Sequence, residues 1–183
     1  VWIFPKCDGI ANVGLGVQHG SAKLYLDKFI SSHPEKFKSA EIAEIHAGPV
    51  PISGQIDEIV NNGAMLCGDA AGQVIPLTGG GIHSSIVAGK IAGDVAGKAL
   101  TSENLNFDEY PRRYAYYTER IAKSLKALKV IESLPDSDLN QLAEVLSGED
   151  IIDLANGLNI ARVSKKLIKH PLFALKMAKA LME

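Results

Sequence analysis

Cysteine is scarce in these 183 residues: Cys7 and Cys67 are the only two. Two thiols make neither a disulfide framework nor a metal cluster, and no CxxC or HExxH spacing occurs, so no metal site is expected. Both read as small buried hydrophobes. Aromatic residues are few, at 6%, and neither sign of charge dominates, the formal net charge being −2. A balance so near zero is too small to argue for a nucleic-acid partner, and none is expected. Long apolar runs are missing too: Ile82 to Leu100 is broken by Lys90, Asp94 and Lys98, which excludes it as a membrane span. The dinucleotide motif GxGxxG is absent. Gly14-Leu15-Gly16 has no third glycine at the required spacing and opens no apolar helix. Val1 leads straight into a strand pattern rather than a signal peptide, so a cytoplasmic location is expected.

What the chain has instead is glycine, seventeen residues of it, within a hydrophobic content of 46%. That suffices for one good core or two small ones. The glycines concentrate where the rest of the chain is organised, from Met65 to Ile82. A short apolar strand there runs into a small-residue turn, Gly68-Asp69-Ala70-Ala71-Gly72, and then into Gly79-Gly80-Gly81-Ile82 at the head of a helix reaching about Leu100. Asp69 falls at the strand's end, where open α/β folds bind ligands. The glycines present bare amides at a helix N-terminus, suited to phosphate or an anionic ring edge. On these residues alone, a plain strand–turn–helix corner packed tightly by glycine stays equally open.

Taken in order, Val1 to Phe4 alternates as a strand ended by Pro5, with a turn at Lys6-Cys7-Asp8-Gly9 and a partner strand from Ile10 to Gln18. Ser21 caps a helix to about Ser32, which His33-Pro34 stops. Residues 40–52 read as extended, and the two prolines of Gly48-Pro49-Val50-Pro51-Ile52 bar an interior strand. Asn61-Asn62-Gly63 turns the chain before Ala64 to Gly68 enters a parallel sheet. On the long helix, Gly89, Gly93 and Gly97 make a smooth face for close packing. Beyond it the chain is helical: residues 107–133 with Ile121, Leu125, Leu128 and Ile131 as the apolar positions, residues 138–146 ended by Gly148, a turn at 151–156, and residues 160–182 broken at His170-Pro171. That last helix is basic, with Arg162, Lys165, Lys166, Lys169, Lys176 and Lys179. It reads either as a solvated face or as a surface for anionic lipid.

Gly68-Asp69-Ala70-Ala71-Gly72, Pro76 and Gly79-Gly80-Gly81-Ile82 together resemble the second FAD-binding motif of the p-hydroxybenzoate hydroxylase-like flavoproteins. Trp2-Ile3-Phe4-Pro5 followed by Gly14-Leu15-Gly16 is similar to the W-x-F-P…G-x-G signature of the geranylgeranyl reductases within that superfamily. Asn12-Val13-Gly14 resembles the archaeal branch, and the tyrosine expected two places before Trp2 would lie outside the chain. The resemblance implies an α/β (mixed α+β) fold seen as the carboxyl-terminal part of a FAD-dependent reductase. Residues 1–52 would end an antiparallel substrate-binding domain, 53–100 would return to a Rossmann-like FAD domain, and 101–183 would form a helical region. It further implies that Asp69 meets a ribityl hydroxyl of FAD, beside Gly68 and Ala70. The backbone of Gly79, Gly80, Gly81 and Ile82 would meet the isoalloxazine. Trp2, Phe4, Pro5, Gly14 and Gly16 would wall a prenyl cavity, although Trp2 and Phe4 read equally as sheet core. The implied reaction is reduction of carbon–carbon double bonds in geranylgeranyl chains of archaeal ether-lipid precursors, with peripheral membrane contact through the basic tail. No residue identifies the electron donor or a proton donor; His83, next to Ile82, reads more readily as a surface or packed histidine. The rivals are a flavin hydroxylase or halogenase of the same superfamily, and a non-enzymatic lipid-binding module.

Overall fold

Asp8 and Gly9 determine the first element. Both take positive φ, 59° and 73°, as a tight hairpin turn requires. They fold β1 (Trp2–Pro5) antiparallel onto β2 (Ala11–Gly14), with Trp2 opposite Gly14 and Pro5 opposite Ala11. The partner strand is shorter than the run of Ile10 to Gln18 suggested, its pairing ending at Gly14 opposite Trp2. The Ser21 hydroxyl then accepts from the Leu24 amide at 3.4 Å and caps α1 (Ala22–Ser31). A single turn, α2 (Pro34–Phe37), follows with Pro34 in its first turn. The computed structural model describes residues 1–102 and 106–168, and these elements lie in the first of its two units, Val1–Gly48 and Pro49–Glu183. No residue of Val1–Gly48 is fully buried. Leu24 is exposed, and so is Cys7, which occupies the hairpin turn rather than a core.

The second unit begins with extended chain. Asn62 and Gly63, again at positive φ, turn β3 (Val60–Asn61) antiparallel onto β4 (Ala64–Met65). The expected entry of Ala64 to Gly68 into a parallel sheet is not found among the described residues. The turn folds β4 back on β3, and a parallel neighbour needs a crossover of a dozen residues or more, which the described residues do not supply. The fold is a mixture of helices and small antiparallel hairpins. Gly68–Ala71 forms one 3-10 turn, and α3 (Ile82–Ser102) follows the glycine run.

Helix α3 packs on α4 (Glu109–Ser133) through Ala88, Ile91, Ala92 and Val95 against Tyr110, Tyr114 and Ile121. The buried stripe of α4 is Tyr110, Tyr114, Ile121, Ser124, Ala127 and Val130. It lies about one residue back from the expected Leu125, Leu128 and Ile131, which are half-buried. Asp94 of α3 meets Arg113 of α4 at 2.9 Å, and Glu109 of α4 meets Lys98 of α3 at 2.8 Å. These pairs register the two helices on their exposed edge.

Pro135 ends α4, and α5 (Asp136–Val145) and α6 (Gly148–Ala155) follow. Gly148 begins α6 instead of terminating the helix before it. The reason is a reciprocal cap: the Ser147 hydroxyl accepts from the Asp150 amide, and the Asp150 carboxylate accepts from the Ser147 amide. Asp150 is fully buried and also receives Lys166 of α7 (Ile160–Ile168). Arg162 meets Glu149 at 2.9 Å and Asp153 at 2.6 Å. Two of the basic residues offered to a lipid surface therefore hold α7 to α6. Lys165 is exposed, while Lys169, His170-Pro171, Lys176 and Lys179 lie outside the described residues. No helix among those described is long and apolar enough to cross a membrane.

The Lys166 ammonium, and after it the Ser147 hydroxyl, hold the Asp150 carboxyl well below the usual carboxylate range. A carboxyl so depressed contributes stability that is complete above its unfolded value of about 3.9 and is lost as pH falls through the folded value. Asp150→Asn should lower the urea midpoint at neutral pH. It should also flatten the decline of stability below about pH 4, read from urea midpoints across an acid series.

Candidate functional site

The Gly68–Ile82 loop is held by one buried amide. Gln73 is fully buried, and each of its four polar groups is engaged. Its side-chain oxygen accepts from the Gly68 amide at 2.7 Å, and its backbone amide donates to the Gly68 carbonyl at 3.0 Å. Its side-chain nitrogen donates to the Tyr110 hydroxyl at 2.7 Å, which donates in turn to the Leu66 carbonyl at 2.9 Å. Its carbonyl accepts the Ser84 hydroxyl at 2.5 Å. The end of the β3–β4 hairpin, the loop, α3 and α4 all meet at this residue. Burial raises the pKa of Tyr110 and of Tyr114, so both hydroxyls stay protonated and able to donate. Glycine is required beside the clamp: Gly72 has φ +64°, and a Cβ there would stand 2.2 Å from the Gly54 carbonyl oxygen.

The loop so held walls a cavity of about 480 Å³. Val50, Val74, Ile82 and Ile86 make it apolar; Asp69, Gly79, Gly81 and Ser85 complete the lining. The Asp69 carboxylate has no hydrogen-bond or ion-pair partner among the described residues. It lies over the start of α3: a Cβ on Gly81 would be 3.4 Å from its Oδ1 and 3.1 Å from Val74 Cγ2. The four amides named from the sequence are not equivalent. Gly79 donates to the Ile75 carbonyl at 2.9 Å and Gly80 to the Thr78 hydroxyl at 3.2 Å, so the loop consumes both. Those of Gly81 and Ile82 open the helix, where intrahelical acceptors are lacking, and no other described group takes them. The cavity thus offers a bare carboxylate, two bare amides and an apolar wall.

Asp69, Gly79, Gly81 and Ile82 line this cavity; Gly68, Ala70 and Gly80 do not. Gly68 serves the clamp, and Gly80 pairs with Ile75 across the loop. His83 does not line the cavity either. Its ring lies 5.6 Å from that of Tyr117, and burial together with the Arg120 charge lowers its pKa, so it is neutral at pH 7. A second, more polar concavity of about 510 Å³ lies between Glu58–Gly63 and Asn106–Asp108 and contains none of the motif residues. In the first unit, Trp2 and Phe4 stack with ring centroids 5.9 Å apart, and the indole nitrogen donates to Asn12 Oδ1 at 2.8 Å. Both rings are exposed, Trp2 by 37% and Phe4 by 58%, so within this chain they form a surface and not a sheet core. Gly14 makes room for them, since a Cβ there would be 2.5 Å from the indole. Gly16 faces open space.

Gln73, Tyr110 and Ser84 escaped sequence reasoning. The signals were present: one amide within the small and apolar run Ala70 to Ile75, and Tyr110, Tyr114 and Tyr117 at helical spacing on one face of α4.

The family model for the geranylgeranyl reductase catalytic domain matches residues 1–50. Over its whole length the chain is 39% identical to digeranylgeranylglycerophospholipid reductase 2 of Methanopyrus kandleri, covering 49% of that protein. It is 38% identical to digeranylgeranylglycerophospholipid reductase of Methanocaldococcus jannaschii, covering 47%. A crystal structure of a geranylgeranyl bacteriochlorophyll reductase-like protein from Thermoplasma acidophilum superposes with a TM-score of 0.73 at 27% identity, over 98% of this chain and 47% of that one. The chain spans about half the length of the curated relatives it matches.

Tyr110→Phe removes one oxygen and leaves the Gln73 amide and the Leu66 carbonyl unsatisfied inside the fold. It should cost roughly 1–3 kcal/mol, measured as a fall in urea-unfolding free energy. Tyr116→Phe, on an exposed ring, should change little.

Proposed function

We propose that this chain belongs to the geranylgeranyl reductase family and forms the carboxyl-terminal part of an enzyme that reduces geranylgeranyl double bonds in archaeal ether-lipid precursors. The observation that carries the reading is the unpartnered Asp69 carboxylate beside the free amides of Gly81 and Ile82 at the start of α3, in an apolar cavity. These residues fit one side of a FAD site. Bound there, FAD would supply the hydride equivalents for alkene reduction.

Each residue has a distinct task in this proposal. Asp69 accepts a hydroxyl of the ribityl chain; a bare carboxylate is a strong acceptor for it. The Gly81 and Ile82 amides, at the positive end of α3, stabilise negative charge on the edge of the flavin ring. Val50, Val74 and Ile86 keep water from the ring. Gln73 holds all of these in place and touches none of the reactants. The exposed Trp2–Phe4 surface provides apolar wall for a prenyl chain, with Pro5 ending the strand and Gly14 admitting the indole. Contact with anionic lipid headgroups would fall to Lys165 among the described residues, since Arg162 and Lys166 are committed to α6.

In the whole reductase, Asp69→Ala removes a charge-assisted hydrogen bond of roughly 1.5–3 kcal/mol, so flavin affinity should fall roughly ten- to a hundredfold. Flavin-to-protein ratio after purification reads this out, and an unchanged ratio would overturn the role of Asp69. The 183-residue chain alone, given FAD, a reductant and a geranylgeranylated lipid, should yield no saturated prenyl chains by mass spectrometry. Turnover by the isolated chain would mean that it holds a complete cofactor site.

A further inference from the structure

Ile75 and Leu77 lie two residues apart and belong to different cores. Ile75 is fully buried in the core that α3 and α4 share, with Ala88, Ile91 and Tyr114. Leu77 packs on a second cluster, formed by Ala127 of α4, Leu142 of α5, Leu146, Leu154 of α6 and Val163 of α7. It is the one large aliphatic residue between Pro76 and Ile82. Its amide also donates to the Ser124 hydroxyl of α4 at 3.2 Å, and that hydroxyl donates to the Ala155 carbonyl at the end of α6 at 2.7 Å. Ser124 is fully buried. Side chain and backbone of Leu77 are thus both seated on the helices that follow α3.

What Leu77 seats is the stretch that walls the cavity. Ile75 and Gly80 pair at the base of a small loop, the Ile75 amide donating to the Gly80 carbonyl at 3.0 Å. The Gly79 amide returns to the Ile75 carbonyl at 2.9 Å, and the Gly80 amide donates to the Thr78 hydroxyl at 3.2 Å. These bonds keep the loop's shape without aiming it. Its aim comes from outside, through Leu77 at the tip. A close-packed interior transmits displacement instead of absorbing it, so the position of the second core is carried to Gly79 and on to the amides of Gly81 and Ile82. Val163 of α7, only 1% exposed, shares that core. Helix α7 is drawn onto α6 by Arg162 with Glu149 and Asp153, and by Lys166 with Asp150. No residue of α5, α6 or α7 lines the cavity.

We infer that Leu77 is a positioning residue for the cofactor reaction, and that α5, α6 and α7 act on the flavin site through it. Without that seat the loop keeps its internal bonds. The two bare amides lose their alignment with the flavin edge, and with it the stabilisation of negative charge there. A leucine that merely filled space in the second core would affect stability and leave a bound flavin unaltered. The inference rests on the reductase reading for the identity of the cofactor; the link from Val163 through Leu77 to Gly79 does not.

The test compares variants of the whole reductase. Leu77→Ala and Val163→Ala should each weaken flavin binding roughly two- to thirtyfold, and the flavin that stays bound should have a more negative midpoint potential. Together they should cost less than the product of their separate effects, because they share one cluster. Leu77→Met, which nearly keeps the volume, should restore the wild-type potential. Ile152→Ala, on an exposed side chain of α6, should leave it unaltered. Hydrogen exchange at the Gly79 and Gly80 amides, read by mass spectrometry, should quicken in both single alanine variants. A wild-type potential in flavin-loaded Leu77→Ala would overturn the inference, since lost stability reduces how much flavin is bound and not its potential. So would Gly79 and Gly80 exchange that Val163→Ala leaves unchanged. A protein that holds no flavin yet shows the quickened exchange would sustain the coupling and defeat the cofactor assignment. Unchanged exchange and potential in flavin-loaded variants would do the reverse.

Discussion

A single buried carboxamide holds the functional end of this protein together. Gln73 is surrounded by apolar side chains, and a primary amide in such a place is destabilising unless its donors and acceptors are all matched. They are matched by Gly68 of the loop and Tyr110 of α4, while the Gln73 backbone carbonyl accepts the Ser84 hydroxyl of α3. Satisfying one residue therefore brings three segments into one arrangement. Asp69 can stand bare over the start of α3 because the residues on either side of its turn are fixed by that amide. The carboxylate has no hydrogen-bond or ion-pair partner among the described residues.

Glycine acts in three different ways here. Gly72 and Gly79 adopt backbone that other residues resist, and the Cβ missing from Gly72 makes room for the Gly54 carbonyl. Gly81 keeps the helix entrance bare beneath Asp69. Gly89, Gly93 and Gly97 do neither, since no described atom approaches them. The absence of any fully buried residue in Val1–Gly48 agrees with a chain whose apolar surface exceeds what it can cover itself.

Charge serves the helices more than it serves the cavity. Asp94, Arg113, Glu109 and Lys98 join α3 to α4; Glu149, Asp150, Asp153, Arg162 and Lys166 join α6 to α7. A basic run that seems free in the linear sequence is thus partly consumed by acidic residues about a dozen positions earlier. Among the groups lining the cavity, Asp69 alone carries charge, so it sets the local field without competition from a basic neighbour.

Local chemistry was legible in the linear sequence. Positive-φ turn residues at Asp8-Gly9 and Asn62-Gly63, the Ser21 cap and the glycine entry to α3 each depend on interactions within a few residues, and each lies where the sequence put it. So did the position of the loop bearing Asp69 and Gly81. The sequence misled where a local signal had two uses: Gly148 resembles a helix stop but begins α6, because Ser147 and Asp150 cap each other. What it could not reveal were partners distant along the chain. The bonds joining Gln73 to Tyr110 and Leu77 to Ser124 span 37 and 47 residues, and their existence depends on how α4 lies against the loop. The division of the glycine amides into two consumed and two free also appears only once the loop closes on itself. Residue type and spacing determined which elements form and which groups could act. Tertiary packing decided which of those groups are satisfied internally and which are left bare for another molecule, because hydrogen-bond pairing in a folded chain is a matter of position in space and not of order in sequence.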